Sequence, residues 1–93
     1  MSDQQEYRPK NGGIEGSIIR IELLTFFQSN PHTRDTAAGL ARRLHRPPED
    51  VEAAAAMLAK IGILDKNGSG PYTVYRLRHG ELIRAYFENC QEE

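Results

Sequence analysis

Basic side chains gathered in two blocks are the residues of this 93-residue chain best suited to chemistry, and that chemistry is anion binding. They are Arg34, Arg42, Arg43 and Arg46 in residues 33–46, and Lys60, Lys66, Arg76 and Arg78 in residues 60–78. Each block also holds one aspartate and carries +3, whereas residues 47–59 and 79–93 each carry −3. Guanidinium and ammonium groups bind phosphate oxygens well. The whole chain carries only −1, so the placement of these blocks on the folded surface matters more than their sum.

Catalytic and metal-binding patterns do not appear in the sequence. His32, His45 and His79 are far apart and lack zinc-ligand spacing, and Cys90 has no motif partner for a nucleophile–base pair. The glycine-rich residues 67–70 lie between two predicted strands, which is the wrong context for a phosphate-binding loop. We therefore expect no enzyme, no metal and no cofactor.

The single cysteine and the hydropathy pattern bear on the compartment. One cysteine allows no internal disulfide and fits a reducing environment. No apolar run is long enough to span a membrane, and no basic-then-apolar leader stands at the start. These features predict a cytoplasmic protein.

Residues 36–64, TAAGLARRLHRPPEDVEAAAAMLAKIGIL, predict two short helices joined by a tight turn. Their apolar residues recur at helical spacing, as Ala37, Leu40, Ala41 and Leu44, and as Val51, Ala55, Leu58 and Ile61. Proline suits the first helical position, so Pro48 should begin the second of these helices, with Pro47 restraining the turn. Either Asp35 or Thr36 should cap the first.

The segments on the N-terminal side predict a tail and a central helix. Residues 1–13 are polar and read as a mobile tail, either a solvated arm or an arm that reaches a partner. Ser17 is a candidate cap for a helix that ends before Pro31 and is apolar on more than one side, so it should be covered on two sides. Residues 32–34 could form a short strand.

The segments on the C-terminal side predict a β-hairpin and a last helix. Residues 63–66 and 72–78 are strand-like and flank a turn at residues 67–71, with Tyr75 and Leu77 facing the core. A helix over residues 81–91 carries one apolar stripe. The stripe consists of Leu82, Ile83, Tyr86, Phe87 and Cys90. It should lie against the first helix, in the same chain or across a dimer interface.

This order of elements resembles the winged helix-turn-helix of small bacterial and archaeal regulators. The matching residues are Leu40-Ala41, Val51, residues 58–64 before a glycine-rich hairpin, and Tyr75-Arg76-Leu77. The resemblance implies a mainly α fold with a β-hairpin wing. A winged-helix domain over residues 14–78, with a three-helix core, would be followed by a C-terminal helix in residues 79–93.

The same resemblance implies double-stranded DNA as the partner, often of a dimeric regulator. The third helix would enter the major groove, while the second helix and the wing touch phosphates. The implied DNA-contacting residues are Arg34, Arg42, Arg43, Arg46, Lys66, Tyr72, Arg76 and Arg78. An ordinary solvated surface is the alternative for these cations.

The third helix departs from that pattern, because Glu49, Asp50 and Glu52 occupy the turn that would read bases. Acids there stabilise a first helical turn, and they could also discourage DNA binding or face a basic partner protein. Two hypotheses therefore stand: a DNA-binding regulator that uses its second helix, turn and wing, and a protein-interaction module that uses the acidic or C-terminal helix. In either case a homodimer is expected from the apolar first and last helices.

Overall fold

The structure is a computed structural model that describes residues 13–91, with side chains described for residues 16–88. Within that range it contains four α-helices and one three-stranded antiparallel sheet. The elements are α1 (Gly13–Ser29), β1 (Arg34–Thr36), α2 (Ala37–Leu44), α3 (Pro48–Lys60), β2 (Leu64–Asn67), β3 (Val74–Leu77) and α4 (Glu81–Gln91). A 3-10 turn, Gly70–Tyr72, lies between β2 and β3. The prediction of a mainly helical chain with a β-hairpin is confirmed, whereas the predicted tail lies outside the described residues except for Gly13.

Capping side chains explain where α2 and α3 begin. The Thr36 hydroxyl accepts a hydrogen bond from the Gly39 N–H at 3.1 Å, so Thr36, not Asp35, is the cap of α2. Pro48 is the first residue of α3, as predicted. The predicted cap at Ser17 is wrong, because α1 begins at Gly13 and the Ser17 hydroxyl instead accepts from Arg20 Nη2 at 3.1 Å.

Left-handed residues end the two helices of the helix-turn-helix. His45 follows α2 with φ of 59°, and its N–H donates to the Ala41 carbonyl. Gly62 follows α3 with φ of 93°, a conformation that glycine adopts without steric cost. These two residues turn the chain sharply, first into α3 and then into the hairpin.

The sheet has strand order β1-β3-β2, with β3 in the centre. Arg76 of β3 is the register partner of Arg34 on one side and Asp65 on the other, so these three residues share the outer face. Tyr75 points to the opposite face and is buried, as the alternation predicted. The first strand was expected at residues 32–34 and lies two residues later, at Arg34–Thr36.

One hydrophobic core lies between α1, the helix-turn-helix and the sheet. Its largest members are Phe27, Ile19, Leu23, Leu24, Leu40, Leu58, Ile63, Leu64, Ile83 and Val51. Helix α1 packs against α3 in this core and contacts α4 through Arg20 and Tyr86, as expected of a helix covered on two sides, but Ile18 and Ile21 remain 41% and 38% exposed. None of the segments within residues 16–88 packs fully over them.

Helix α4 joins this core within the same chain. Ile83 is buried, and Leu82, Tyr86 and Phe87 pack against the core cluster. Arg20 Nε donates to the Tyr86 hydroxyl at 2.8 Å, which ties α4 to α1. The ring of Tyr86 therefore has apolar partners and its hydroxyl has a polar partner, as is usual for partly buried tyrosines.

Candidate nucleic-acid interface

The fold distributes the predicted cations over three separate surfaces. The turn arginines, Arg42, Arg43 and Arg46, lie at the end of α2 and in the turn that follows. The hairpin groove lies between α3 and β2 and contains Lys66 and Arg78. The sheet face carries Arg34 and Arg76.

Two of the turn arginines are held by carboxylates. Arg43 Nε lies 3.3 Å from Asp35 Oδ2, and its guanidinium sits 5.6 Å from the centre of the Phe26 ring. Arg46 makes a bidentate pair with Glu22, with Nε–Oε1 at 2.9 Å and Nη2–Oε2 at 2.7 Å. Arg42 is exposed, and no ion pair to it occurs among the residues that the structure describes.

The Glu22–Arg46 pair also changes the titration of the acid. The hydrogen bonds from Arg46, helped by its positive charge, lower the pKa of Glu22 below its ordinary value, although partial burial opposes the shift. Glu22 therefore stays ionised near neutral pH, and it competes with any outside anion for Arg46.

The hairpin groove collects three cations from three elements. Lys60 from the last turn of α3, Lys66 from β2 and Arg78 from just beyond β3 line it together. Within residues 16–88, no carboxylate pairs with any of these three side chains. Asp65 also lines the groove, but its Oδ2 is bonded to Arg76 Nη2 at 3.1 Å.

Lys60 belongs to the second basic block of the sequence but was not among the predicted DNA-contacting residues. In the sequence, Lys60 belongs to a helix whose first turn is acidic. That acidic turn is a more conspicuous feature than a single lysine at the other end of the helix. Its position in the last turn, two residues before Gly62, was the available clue, since the chain reverses there and brings β2 back alongside α3.

Tyr72 is the most exposed aromatic side chain in the described part of the chain, at 79%. It ends the 3-10 turn at the tip of the hairpin, where Gly68 and Gly70 have φ of 101° and 58°. The phenol ring is therefore available to a partner, as its predicted role requires, without any contribution to the core.

The sheet face brings Arg34 and Arg76 together as cross-strand neighbours. Arg76 points outward, as predicted, but Asp65 neutralises part of its charge. The two arginines line a groove with residues 31–33 and Leu77, on the opposite side of β3 from β2. They do not extend the hairpin groove.

The acidic turn of α3 is exposed at Glu49 and Glu52 and half-buried at Asp50. No ion pair to these three acids occurs among the described residues. Glu52 lines a groove with Tyr75, and the pKa of Tyr75 is raised mainly by burial and secondarily by the charge of Glu52. The start of α3 is thus a negative surface, as the sequence indicated.

The described part of the chain offers neither a metal site nor a membrane-spanning helix. No group of three histidine, cysteine, aspartate or glutamate side chains in it could hold a metal ion. No described helix combines the length and the apolar character needed to cross a bilayer. Comparison with protein-family models, curated proteins and solved structures gives no match.

Proposed function

We propose that this chain is a cytoplasmic winged-helix protein that binds duplex DNA as a transcriptional regulator. The order helix, short strand, helix, turn, helix, β-hairpin, helix supports this class. In that class the hairpin is the wing, α2 and α3 form the helix-turn-helix, and both approach the DNA backbone.

The observation that carries the proposal is the hairpin groove. Lys60, Lys66 and Arg78 converge there from different elements, without an ion pair among the described residues. Unpaired cations at the rim of a helix and a wing can exchange bound counterions for DNA phosphates, which is the main source of affinity in such complexes.

The ion pairs within the chain indicate how much each of the other predicted cations can contribute to DNA binding. Arg42 has no ion-pair partner among the described residues, so its N–H groups can bind phosphate. Tyr72, at the tip of the hairpin, can pack on the sugar–phosphate backbone. Arg43, Arg46 and Arg76 would first have to leave Asp35, Glu22 and Asp65, so each contributes less to binding. The acids at the start of α3 favour a structural role for that turn over base reading.

The test is binding of a fluorescent duplex of mixed sequence at low salt, measured by anisotropy. The variant K60A/K66A/R78A should bind at least about tenfold more weakly, because three phosphate contacts are lost. R84A is the matched control, since Arg84 pairs with Glu88 on the surface of α4 and its side chain is 87% exposed. Absence of wild-type binding, or an equal loss in R84A, contradicts the proposal.

A protein-interaction module is the second candidate, and an exposed apolar pair favours it. Met57 and Ile61, at the end of α3, are 39% and 49% exposed, and Glu49 and Glu52 are exposed on the same helix. A basic, partly apolar partner would match this surface. A partner captured by the wild type and lost by E49K/E52K supports this candidate, whereas retention of every partner contradicts it.

A further inference from the structure

We infer that the outer face of the sheet is a binding site for a small phosphate monoester, separate from the hairpin groove that carries the proposed DNA binding. The site is the groove between the loop after α1 and strands β1 and β3. Its lining residues are Pro31, His32, Thr33, Arg34, Arg76 and Leu77. Of the cations ranked above for DNA binding, only Arg76 lines this groove, and its pair with Asp65 limits its contribution to that binding.

The strand register places two like charges side by side. Arg34 and Arg76 are direct partners in the β1–β3 ladder, so their side chains leave the same face at neighbouring positions. Like charges directly opposite each other destabilise a sheet, and of this pair only Arg76 has a neutralising partner, Asp65. No carboxylate within residues 16–88 pairs with Arg34, so its positive charge has no counterpart within that range.

The donors around the groove match the acceptors of a phosphate group. Arg34 offers a planar fork of N–H groups. Arg76 donates from Nη2 to Asp65, and its other nitrogens make no hydrogen bond to another described residue. His32 and the Thr33 hydroxyl add further hydrogen-bond donors at the loop. A phosphate monoester presents three terminal oxygens to several donors at once.

Charge selects a monoester over the diester of a nucleic-acid backbone. The two arginines and Asp65 sum to +1, and this positive site attracts a monoester, which carries between about −1.5 and −2 at neutral pH, more strongly than it attracts a diester with a single negative charge. The groove also lies on the β1 side of the sheet, while the hairpin groove adjoins β2 at the other edge. A small ligand can therefore occupy it without using the hairpin groove.

Isothermal titration with inorganic phosphate and with a nucleoside monophosphate tests the site in the full chain. We expect saturable binding by the wild type below about 10 mM and a loss of about tenfold in affinity for R34A, since a charge-assisted bond is removed. R34K should fall between the two, because lysine keeps the charge but lacks the fork. R84A should bind like the wild type, since Arg84 lies on α4.

A gain of binding provides the sharper comparison. D65N removes the carboxylate that competes for Arg76, so it should tighten phosphate binding by several-fold. No saturable binding to the wild type, or an R34A variant that binds like the wild type, overturns the inference. Equal or tighter binding of a dinucleoside phosphodiester through Arg34 overturns the choice of a monoester.

Discussion

His45 occupies a left-handed backbone conformation that costs a residue with a Cβ atom some free energy. His45 directly follows the last residue of α2 and has a φ of 59°, at a position where glycine is the usual residue. We expect H45G to raise the free energy of unfolding by about 0.5–1 kcal/mol, after the greater freedom of glycine in the unfolded chain is subtracted. Urea denaturation measures the change. H45V is the opposed control and should be less stable than the wild type, and a destabilised H45G would contradict this account of the turn.

Gly39 of α2 lies against the carboxylate of Asp35 in β1. A Cβ atom built on Gly39 would overlap the Asp35 carboxylate, which is itself bonded to the Thr36 N–H and to Arg43. We expect G39A to lower the free energy of unfolding by about 1–3 kcal/mol, as overpacking does elsewhere.

The control for Gly39 removes the overlapping group. In a D35A background the same G39A substitution should cost markedly less, so the two changes should not be additive. Thermal or urea unfolding of the four proteins gives the coupling. Additive losses would show that the carboxylate is not the obstacle.

The sequence shows the sign of each charged side chain but not which of these side chains form ion pairs with each other. In the sequence Arg43 and Arg46 looked equivalent to Arg42, and Arg76 looked equivalent to Arg78. The structure nevertheless pairs Arg43, Arg46 and Arg76 each with an acid. The Glu22–Arg46 pair joins residues 24 positions apart, and no local spacing indicates it. Such pairs depend on how the helices pack, which a local pattern does not contain.

At the scale of elements, the Glu22–Arg46 pair fastens α1 to the turn between α2 and α3. A double-mutant cycle with E22Q and R46Q should give a coupling of about 0.5–1 kcal/mol at pH 7, because the pair is bidentate but about one-third exposed. The Arg84–Glu88 pair on α4 is more exposed and should give a smaller coupling.

The same pair should make stability depend on pH in the acid range. The pKa of Glu22 is lowered from its ordinary value of 4.5 by Arg46, so its contribution is complete above that value. It is lost as the pH falls through the lowered pKa of the folded protein. Unfolding measured from pH 7 to pH 2 should therefore show a difference between wild type and E22Q that shrinks with acidification. A difference that stays constant would contradict the role of Arg46.

Element boundaries were predictable where a side chain enforces them. Proline at position 48 and the α4 span of residues 81–91 matched the structure, because proline and a clear apolar stripe leave few alternatives. The start of α1 was missed by five residues, since a cap at Ser17 would begin the helix at Ile18 and the helix instead begins at Gly13. The short strand β1 was misplaced because its position depends on pairing with β3.

At the scale of the whole molecule, the open side of α1 predicts self-association. Ile18 and Ile21 are exposed there, and burying them in a homodimer would remove apolar surface from water. Light scattering should give a dimer mass for the wild type and a monomer mass for I18E/I21E. I61E is the control, since Ile61 is exposed at the end of α3. A monomeric wild type at high concentration, or an I61E variant that alone dissociates, contradicts the prediction.

The distribution of charge over the molecule was the part that the sequence described least well. The two basic blocks become three surfaces, because the register of β3 separates Arg76 from Lys66 and the packing of α3 brings Lys60 to the hairpin. The acids of α3 remain on their own surface. The cations of the hairpin groove and the acids at the start of α3 therefore lie on different parts of the surface.

The salt dependence of duplex DNA binding tests the central claim most directly. The logarithm of the association constant should fall linearly with the logarithm of salt concentration, and K60A/K66A/R78A should have a slope smaller by about 2.7, since each phosphate contact contributes about 0.9. R84A should keep the wild-type slope. A wild type that does not bind duplex DNA at low salt, or a triple variant with an unchanged slope, would contradict the assignment of the hairpin groove to DNA phosphates.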